Sequence, residues 1–261
     1  MFESIEGRPA ASLEGKVAFI TGSGRGMGRA HAVLMANRGA DIAIHDVNKD
    51  WAEETGELVR AAGRKALVMI EDVADIEAMA AHAKTAEEEL GRIDILVNNA
   101  GVGAERTGIE GVDPAFFDRL FNIHLRGHFF LTQAVVPGMK ARNYGRILNV
   151  SSMWAMTGHH YGATYTAMKS ALLGLTKAWA KEFAPHNITV NAIAPGGVWS
   201  QMAIEKEGLE SFTARSKKTP IGRFADLDEN AALVAFLCSD EAAFITGQTI
   251  GPNGGQAIVG I

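Results

Sequence analysis

Six short runs of almost uninterrupted apolar residues recur along the chain, and they limit the fold more than any other feature. They are KVAFIT (16–21), ADIAIHD (40–46), ALVMIED (66–72), IDILVNNA (93–100), GRILNVSS (145–152) and ITVNAIAP (188–195). A strand with one wet face alternates apolar and polar residues, whereas a strand apolar throughout must be covered on both faces. Amphipathic stretches such as DWAEETGELVRAAG and IEAMAAHAKTAEEELG separate the runs. This alternation predicts an α/β fold, a doubly wound parallel sheet with helices on both faces. A last short strand is expected in GQTIGPN, which makes the sheet seven-stranded.

The 261 residues suit one large α/β domain over 16–261. Residues 1–15 read as a polar N-terminal extension, partly disordered. Between Val198 and Asp226 no strand pattern is evident, and polar and small residues dominate. An insert at that place, after a strand's carboxyl end, is expected to act as a substrate lid.

Charge and composition narrow the function by exclusion. The net charge of −5 provides no basic field for nucleic acid. The one cysteine, Cys238, lies in the apolar stretch VAFLCSDEA and is expected in the core. The N-terminus lacks a basic start followed by an apolar run, so no signal peptide is expected. No stretch approaches the ~18 apolar residues needed to cross a bilayer. The expected location is cytoplasmic, with no membrane partner.

TGSGRGMG (21–28) joins the first strand to the first helix. A P-loop would need a lysine and a hydroxyl that are absent, and G-x-G-x-x-G would need glycine where Met27 stands. What remains is T-G-x-x-x-G-x-G, from Thr21, Gly22, Gly26 and Gly28. Gly22 lets the chain turn off the strand, Gly26 brings backbone amides to a pyrophosphate, and Gly28 lets the helix pack on the sheet. The unpaired N–H groups of Arg25 to Gly28, Met27 included, then face the phosphates.

Asp46 ends the second strand, where an acid can bind the adenosine ribose. A carboxylate there accepts both ribose hydroxyls and repels a 2′-phosphate, which favours NAD over NADP. Arg25 argues the other way, because a guanidinium in this turn could meet a 2′-phosphate. Asp46 carries more weight, since the phosphate would have to share its space.

The chemistry lies further on. YTAMK puts Tyr165 and Lys169 four residues apart in a helical run, hence on one face. Ser152 ends the strand GRILNVSS, thirteen residues before Tyr165. From about residue 14 to the end, the chain resembles the short, single-domain branch of the short-chain dehydrogenase/reductase family. The matching motifs, in order, are TGSGRGMG, EDV (71–73), NNAG (98–101), FNIHLRG (121–127), NVSS (149–152), YTAMK (165–169), NAIAPGGVWS (191–200) and ITGQTIGPNGG (245–255).

The resemblance implies a Rossmann fold and an NAD-dependent oxidoreductase acting on CH–OH groups. It implies Tyr165 as general acid/base, its phenol lowered from about 10 by Lys169 and by the nicotinamide charge. Ser152 would hold the substrate oxygen, and Lys169 would also bind the nicotinamide ribose. Asn122 would hold a water linking Lys169 to solvent. Asp72 and Val73 would flank adenine, and Asn99, Ala100 and Gly101 would line the wall beside the adenosine ribose. Asn98 is expected to brace neighbouring strands. Val198 and Ser200 would meet the nicotinamide carboxamide. Two departures stand out: Asn253 where the closing motif usually has aspartate, and Ser200 where threonine is commoner.

Met153, Trp154, His160, Tyr161, Trp199 and Met202 suggest an apolar substrate pocket with aromatic walls, suited to a small hydrophobic or cyclic secondary alcohol. His159 and His160 lack a third ligand, so no metal site is expected. A 3-oxoacyl-thioester reductase using NADPH is the alternative, and Asp46 counts against it. A catalytically silent nucleotide-binding scaffold on this fold would be expected to lack the tyrosine or the lysine, and both are present. The resemblance further implies a homotetramer, through helices at 113–140 and 161–185 and the carboxyl-terminal strand, with the apolar tail GGQAIVGI at the interface.

Overall fold

The computed structural model describes residues 11–105 and 107–259, without the side chains of Met202, Ala203 and Lys206. Seven parallel strands form one sheet: β1 (Val17–Thr21), β2 (Asp41–Asp46), β3 (Ala66–Ile70), β4 (Ile95–Asn98), β5 (Gly145–Val150), β6 (Ile188–Ile193) and β7 (Thr249–Ile250). Their order is β3-β2-β1-β4-β5-β6-β7. The helices are α1 (Gly26–Asn37), α2 (Lys49–Ala61), α3 (Ile76–Leu90), α4 (Pro114–Phe121), α5 (His128–Arg142), α6 (Trp154–Thr157), α7 (Ala163–Phe183), α8 (Gln201–Glu207), α9 (Leu209–Ser216) and α10 (Leu227–Leu237). A π-helical turn, Asn122–Gly127, joins α4 to α5.

Each expected apolar run contains a strand, and the two-sided burial explains their composition. Ala18, Ile20, Ile42, Ile44, Ile95, Val97, Leu148 and Val150 pack on one face, under α1, α2 and α10. The alternate residues Phe19, Ala43, Leu96 and Ile147 pack on the other, under α3, α5 and α7. All residues of β1, β4, β5 and β6 are buried. Cys238 lies in the first of these cores, where burial pushes its thiol up to about 12.

Two segments that lack a strand pattern are folded. The lead-in is docked from Ala11 onward: the Ala11 amide donates to Glu241 at 2.7 Å, and Leu13 is fully buried. The segment from Val198 to Asp226 is largely helical, with α8 and α9 anchored by a single bridge between Val198 and Ala225. Asn253 is a packing residue near the carboxyl end. Its side chain donates to Ala257 O at 2.9 Å and accepts from Gly255 N at 3.0 Å.

The strand order reverses direction at β1, with β2 on one side and β4 on the other. Such a switch point opens a crevice at the carboxyl edge of the sheet, where ligands of doubly wound folds bind. No helix among the described residues is long and apolar enough to cross a membrane.

Candidate active site

A cleft of about 640 Å³ occupies this crevice. Every residue assigned above to the cofactor lines it, from Gly22 and Arg25 through Asp46 and Lys169 to Val198 and Ser200. The glycine turn is shaped for a close approach. Gly22 has φ +63°, and a Cβ there would lie 2.8 Å from Ala100 Cα. A Cβ on Gly28 would collide with the Gly22 carbonyl oxygen. Gly26 has φ +58° and open space beside it.

The helix that follows differs from its neighbours. Asn48 caps α2, Asp75 caps α3 and Asp113 caps α4, each through a side-chain oxygen. The start of α1 has no such cap and no acidic residue in its first turn. Its amides line a glycine cradle that excludes side chains, which fits a pyrophosphate.

Asp46 is buried at the end of β2. Its Oδ2 accepts the Gly24 amide at 2.8 Å and its Oδ1 the Asn48 amide at 3.0 Å. Each carboxylate oxygen keeps a lone pair for a further donor. Arg25 lies over the Trp51 ring, 4.0 Å from its centroid, and pairs with Glu205 of α8 at 3.5 Å. The guanidinium is thus already opposed by an acid. Asp72 is exposed and accepts the Ala74 amide at 2.9 Å, while Val73 is buried. Asn99 ties the turn to β4, its amide donating to Thr21 O at 2.8 Å and Gly22 O at 3.0 Å. Asn98 braces strands as expected, donating to Asn149 at 2.9 Å and to Thr132 at 3.1 Å.

Helix α7 presents Tyr165 and Lys169 to the cleft, with Lys169 Nζ 5.7 Å from the Tyr165 ring centroid. The buried Lys169 donates to Val150 O at 2.7 Å, and desolvation lowers its ammonium to about 7. Tyr165 and Ser152 share a hydrogen bond. The phenol runs against expectation: burial raises it above 10, and only the Ser152 bond pulls the other way. Desolvation of the phenolate therefore outweighs the Ser152 bond. Ser151, next to Ser152, fixes the helix by donating to Lys169 O at 2.8 Å.

Asn122 does not line the cleft; His124 does. Both lie in the π-helical turn, whose wider winding shifts the phase of the residues that follow. The His124 ring meets Tyr165 edge to face, centroids 5.4 Å apart. Burial, and next the charge of Lys169, hold its imidazole well below 6.5.

The expected substrate residues are dispersed. Trp154 reaches Tyr165, with centroids 5.8 Å apart, and stacks on His159 at 3.8 Å. His160 and Tyr161 are exposed and do not line the cleft; their rings continue the His159 stack at 4.5 and 4.6 Å. Trp199 does not line the cleft; its ring packs on Phe212 at 5.0 Å and Phe224 at 6.5 Å inside the helical insert. The side chain of Met202 lies outside the described residues. Among the described residues no group of three acidic, histidine or cysteine side chains could hold a metal.

Glu105 is the unforeseen residue outside the motifs. Buried in the loop after β4, it accepts the amides of Thr164 at 2.6 Å and Tyr165 at 3.4 Å. It supplies the α7 cap that Gly162, at the N-cap position, cannot.

A family model described as Enoyl-(Acyl carrier protein) reductase matches residues 22–257. The 3-oxoacyl-[acyl-carrier-protein] reductase FabG of Thermotoga maritima is 37% identical over 246 residues, spanning 94% of this chain and 99% of that one. The crystal structure of a putative short-chain alcohol dehydrogenase from Sinorhizobium meliloti superposes with TM-score 0.89 at 40% identity, covering 95% and 98% of the two chains. That of carveol dehydrogenase from Mycobacterium avium in complex with NAD superposes at 0.90 and 30% identity, covering 93% and 98%. Sheet order, glycine cradle and tyrosine–lysine pair all agree with these likenesses, and the chain belongs to the short-chain dehydrogenase/reductase family of NAD(P)-dependent oxidoreductases.

Proposed function

We propose that the protein interconverts a small hydrophobic or cyclic secondary alcohol and its ketone, with NAD as hydride partner. The observation that carries this reading is the Tyr165 phenol, hydrogen-bonded to Ser152 and one helical turn from the buried Lys169, on the wall of the cleft. A bound nicotinamide supplies or accepts the hydride. Ser152 holds the substrate oxygen, and Tyr165 takes its proton in oxidation or returns it in reduction. The Lys169 ammonium favours the phenolate, and burial opposes it. Trp154 supplies an apolar wall next to the phenol.

The NAD preference rests on Asp46, a buried carboxylate at the end of β2 with lone pairs left for ribose hydroxyls. Arg25, the one residue of the turn suited to a 2′-phosphate, faces Glu205. The helical insert 198–226 serves as a lid, since Ser200, Gln201 and Glu205 line the cleft from it. A homotetramer is supported by the apolar groove that Phe121, Leu125, Phe129, Phe130 and Leu175 line, and by the exposed tail residues Ile258 and Val259.

A second reading, reduction of a 3-oxoacyl thioester with NADPH, is favoured by the 37% identity to an acyl-carrier-protein reductase. Fluorescence titration with NADH and NADPH, followed by turnover of cyclic secondary alcohols against a 3-oxoacyl thioester, separates the two. Tighter NADPH binding with thioester turnover would replace the first reading with the second.

A further inference from the structure

Two arginines flank the glycine turn, and they are held in different ways. Arg29 is tied down: its Nε donates to Gly24 O at 2.8 Å and to Thr55 at 3.0 Å, and its Nη2 to Trp51 O at 3.2 Å and to Glu54 at 2.7 Å. Arg25 rests on the face of the Trp51 ring, 4.0 Å from the centroid, with its Nη1 3.5 Å from Glu205 Oε2. The side chains of this ion pair are 35% and 50% exposed. A planar fork that lies on a ring and faces an acid at such a distance keeps donors and access for another anion.

The acid comes from a distant part of the chain. Glu205 is on α8, in the insert that follows β6, whereas Arg25 belongs to the turn after β1. The two meet only while α8 lies over the cleft, where Gln201, one helical turn before Glu205, also lines the wall. Asp46, the carboxylate that the NAD reading gives to the ribose, stands at the same corner. A Cβ on Gly24, the residue before Arg25, would come within 2.7 Å of Asp46 Oδ2 and 2.9 Å of Trp51 Cβ. A 2′-phosphate on that ribose would arrive beside Arg25, which is the cation it needs. Glu205 competes for the same guanidinium.

We infer that Glu205 is a specificity-determining residue of the lid: it holds Arg25 in an ion pair that a 2′-phosphate must break and a bare ribose leaves intact. Two acids then divide the selection. Asp46 repels the phosphate from the strand end, and Glu205 withholds the cation that would compensate. Because the pair also joins α8 to the glycine turn, a cofactor that breaks it loosens the lid. This inference deepens the NAD reading and rests on the ribose meeting Asp46.

Fluorescence titration of NADH and NADPH into wild type, Glu205→Gln, Arg25→Leu and the double variant tests it. Glutamine keeps the length of this half-exposed side chain, so folding is not at stake. Glu205→Gln should tighten NADPH relative to NADH by about fivefold, the upper range for an exposed pair. In the Arg25→Leu background the same change should move the ratio by less than about twofold, since no cation remains to be released. An unchanged ratio in Glu205→Gln, or an equal effect with and without Arg25, would overturn the inference. A second readout needs no variant. Hydrogen exchange of amides 201–207 should be faster by about threefold in the protein saturated with NADPH than in the protein saturated with NADH. Equal exchange would also overturn it. Failure of the underlying reading would show separately, as wild-type protein that binds NADPH more tightly than NADH.

Discussion

The Glu105 carboxylate accepts the Thr164 amide at 2.6 Å, so a loop 59 residues upstream caps the helix that carries Tyr165. Gly162 stands at the N-cap position of α7 with φ +95° and has no side chain to do this. Helix caps contribute about 0.5–2 kcal/mol. Glu105→Ala should lower the unfolding free energy by about 1–2 kcal/mol in urea titration. It should also lower kcat, because the first turn of α7 positions Tyr165. Unchanged stability would show that the cap is dispensable.

Gly101 has a different role. A methyl at this position would overlap His124 Cε1 at 2.6 Å, and the neighbouring Nε2 is held by Val102. Gly101→Ala should therefore destabilise by about 1–3 kcal/mol, the usual range for overpacking. Tm and kcat should fall together. A variant with wild-type Tm would mean that the ring has room to move.

Lys169 is where function and stability oppose each other. The charged form is desolvated, with its pKa lowered to about 7. Lys169→Met keeps the shape without the charge, and such replacements are often neutral or stabilising. Tm should stay level or rise, while turnover falls by at least about a hundredfold. A large loss of Tm would make Lys169 a structural residue first.

Four buried histidines set the acid limit. Burial holds His31 and His128 neutral down to about 3 and His45 to about 4, and it holds His124 well below 6.5. Their folded values lie below the unfolded 6.5, so the unfolded chain binds more protons between these limits. The histidine contribution to stability is complete above pH 6.5 and is lost as pH drops toward 4. Each histidine contributes up to about 1.4 kcal/mol per pH unit. Lys169 adds little in this window, being protonated in both states. Urea unfolding at pH 7, 6 and 5 should show this slope, and His128→Phe should flatten it by about a quarter.

Asp46 should govern cofactor choice. Asp46→Asn keeps an acceptor for the turn but removes the charge that repels a 2′-phosphate. The NADH-to-NADPH affinity ratio should fall by about tenfold, equivalent to ~1.4 kcal/mol. An unchanged ratio would move the discrimination elsewhere.

Most of the fold was readable before the structure because its strands are buried on both faces. Residues such as Ile42, Ala43 and Ile44 point alternately into two cores, which leaves an unbroken apolar run. The Tyr165–Lys169 pair was readable because four residues of α-helix return to the same face. His124 was not singled out because the motif's expected functional residue is Asn122, two positions earlier in the same π-helical turn. Glu105 left no local signal, since its partners lie 59 and 60 residues away. Trp199 was read as a pocket wall because it is aromatic and lies in the expected lid. Its ring packs with Phe212 and Phe224 in a small aromatic core that no periodicity announced.

The account depends on the Tyr165 hydroxyl as the group that exchanges a proton with substrate. Tyr165→Phe removes that oxygen and leaves the ring packed against His124 and Trp154. Single-turnover hydride transfer, measured beside NADH binding, is the direct test. The prediction is a loss of at least about a thousandfold in rate, with the NADH Kd within about twofold of wild type. Wild-type hydride transfer by the phenylalanine variant would contradict it.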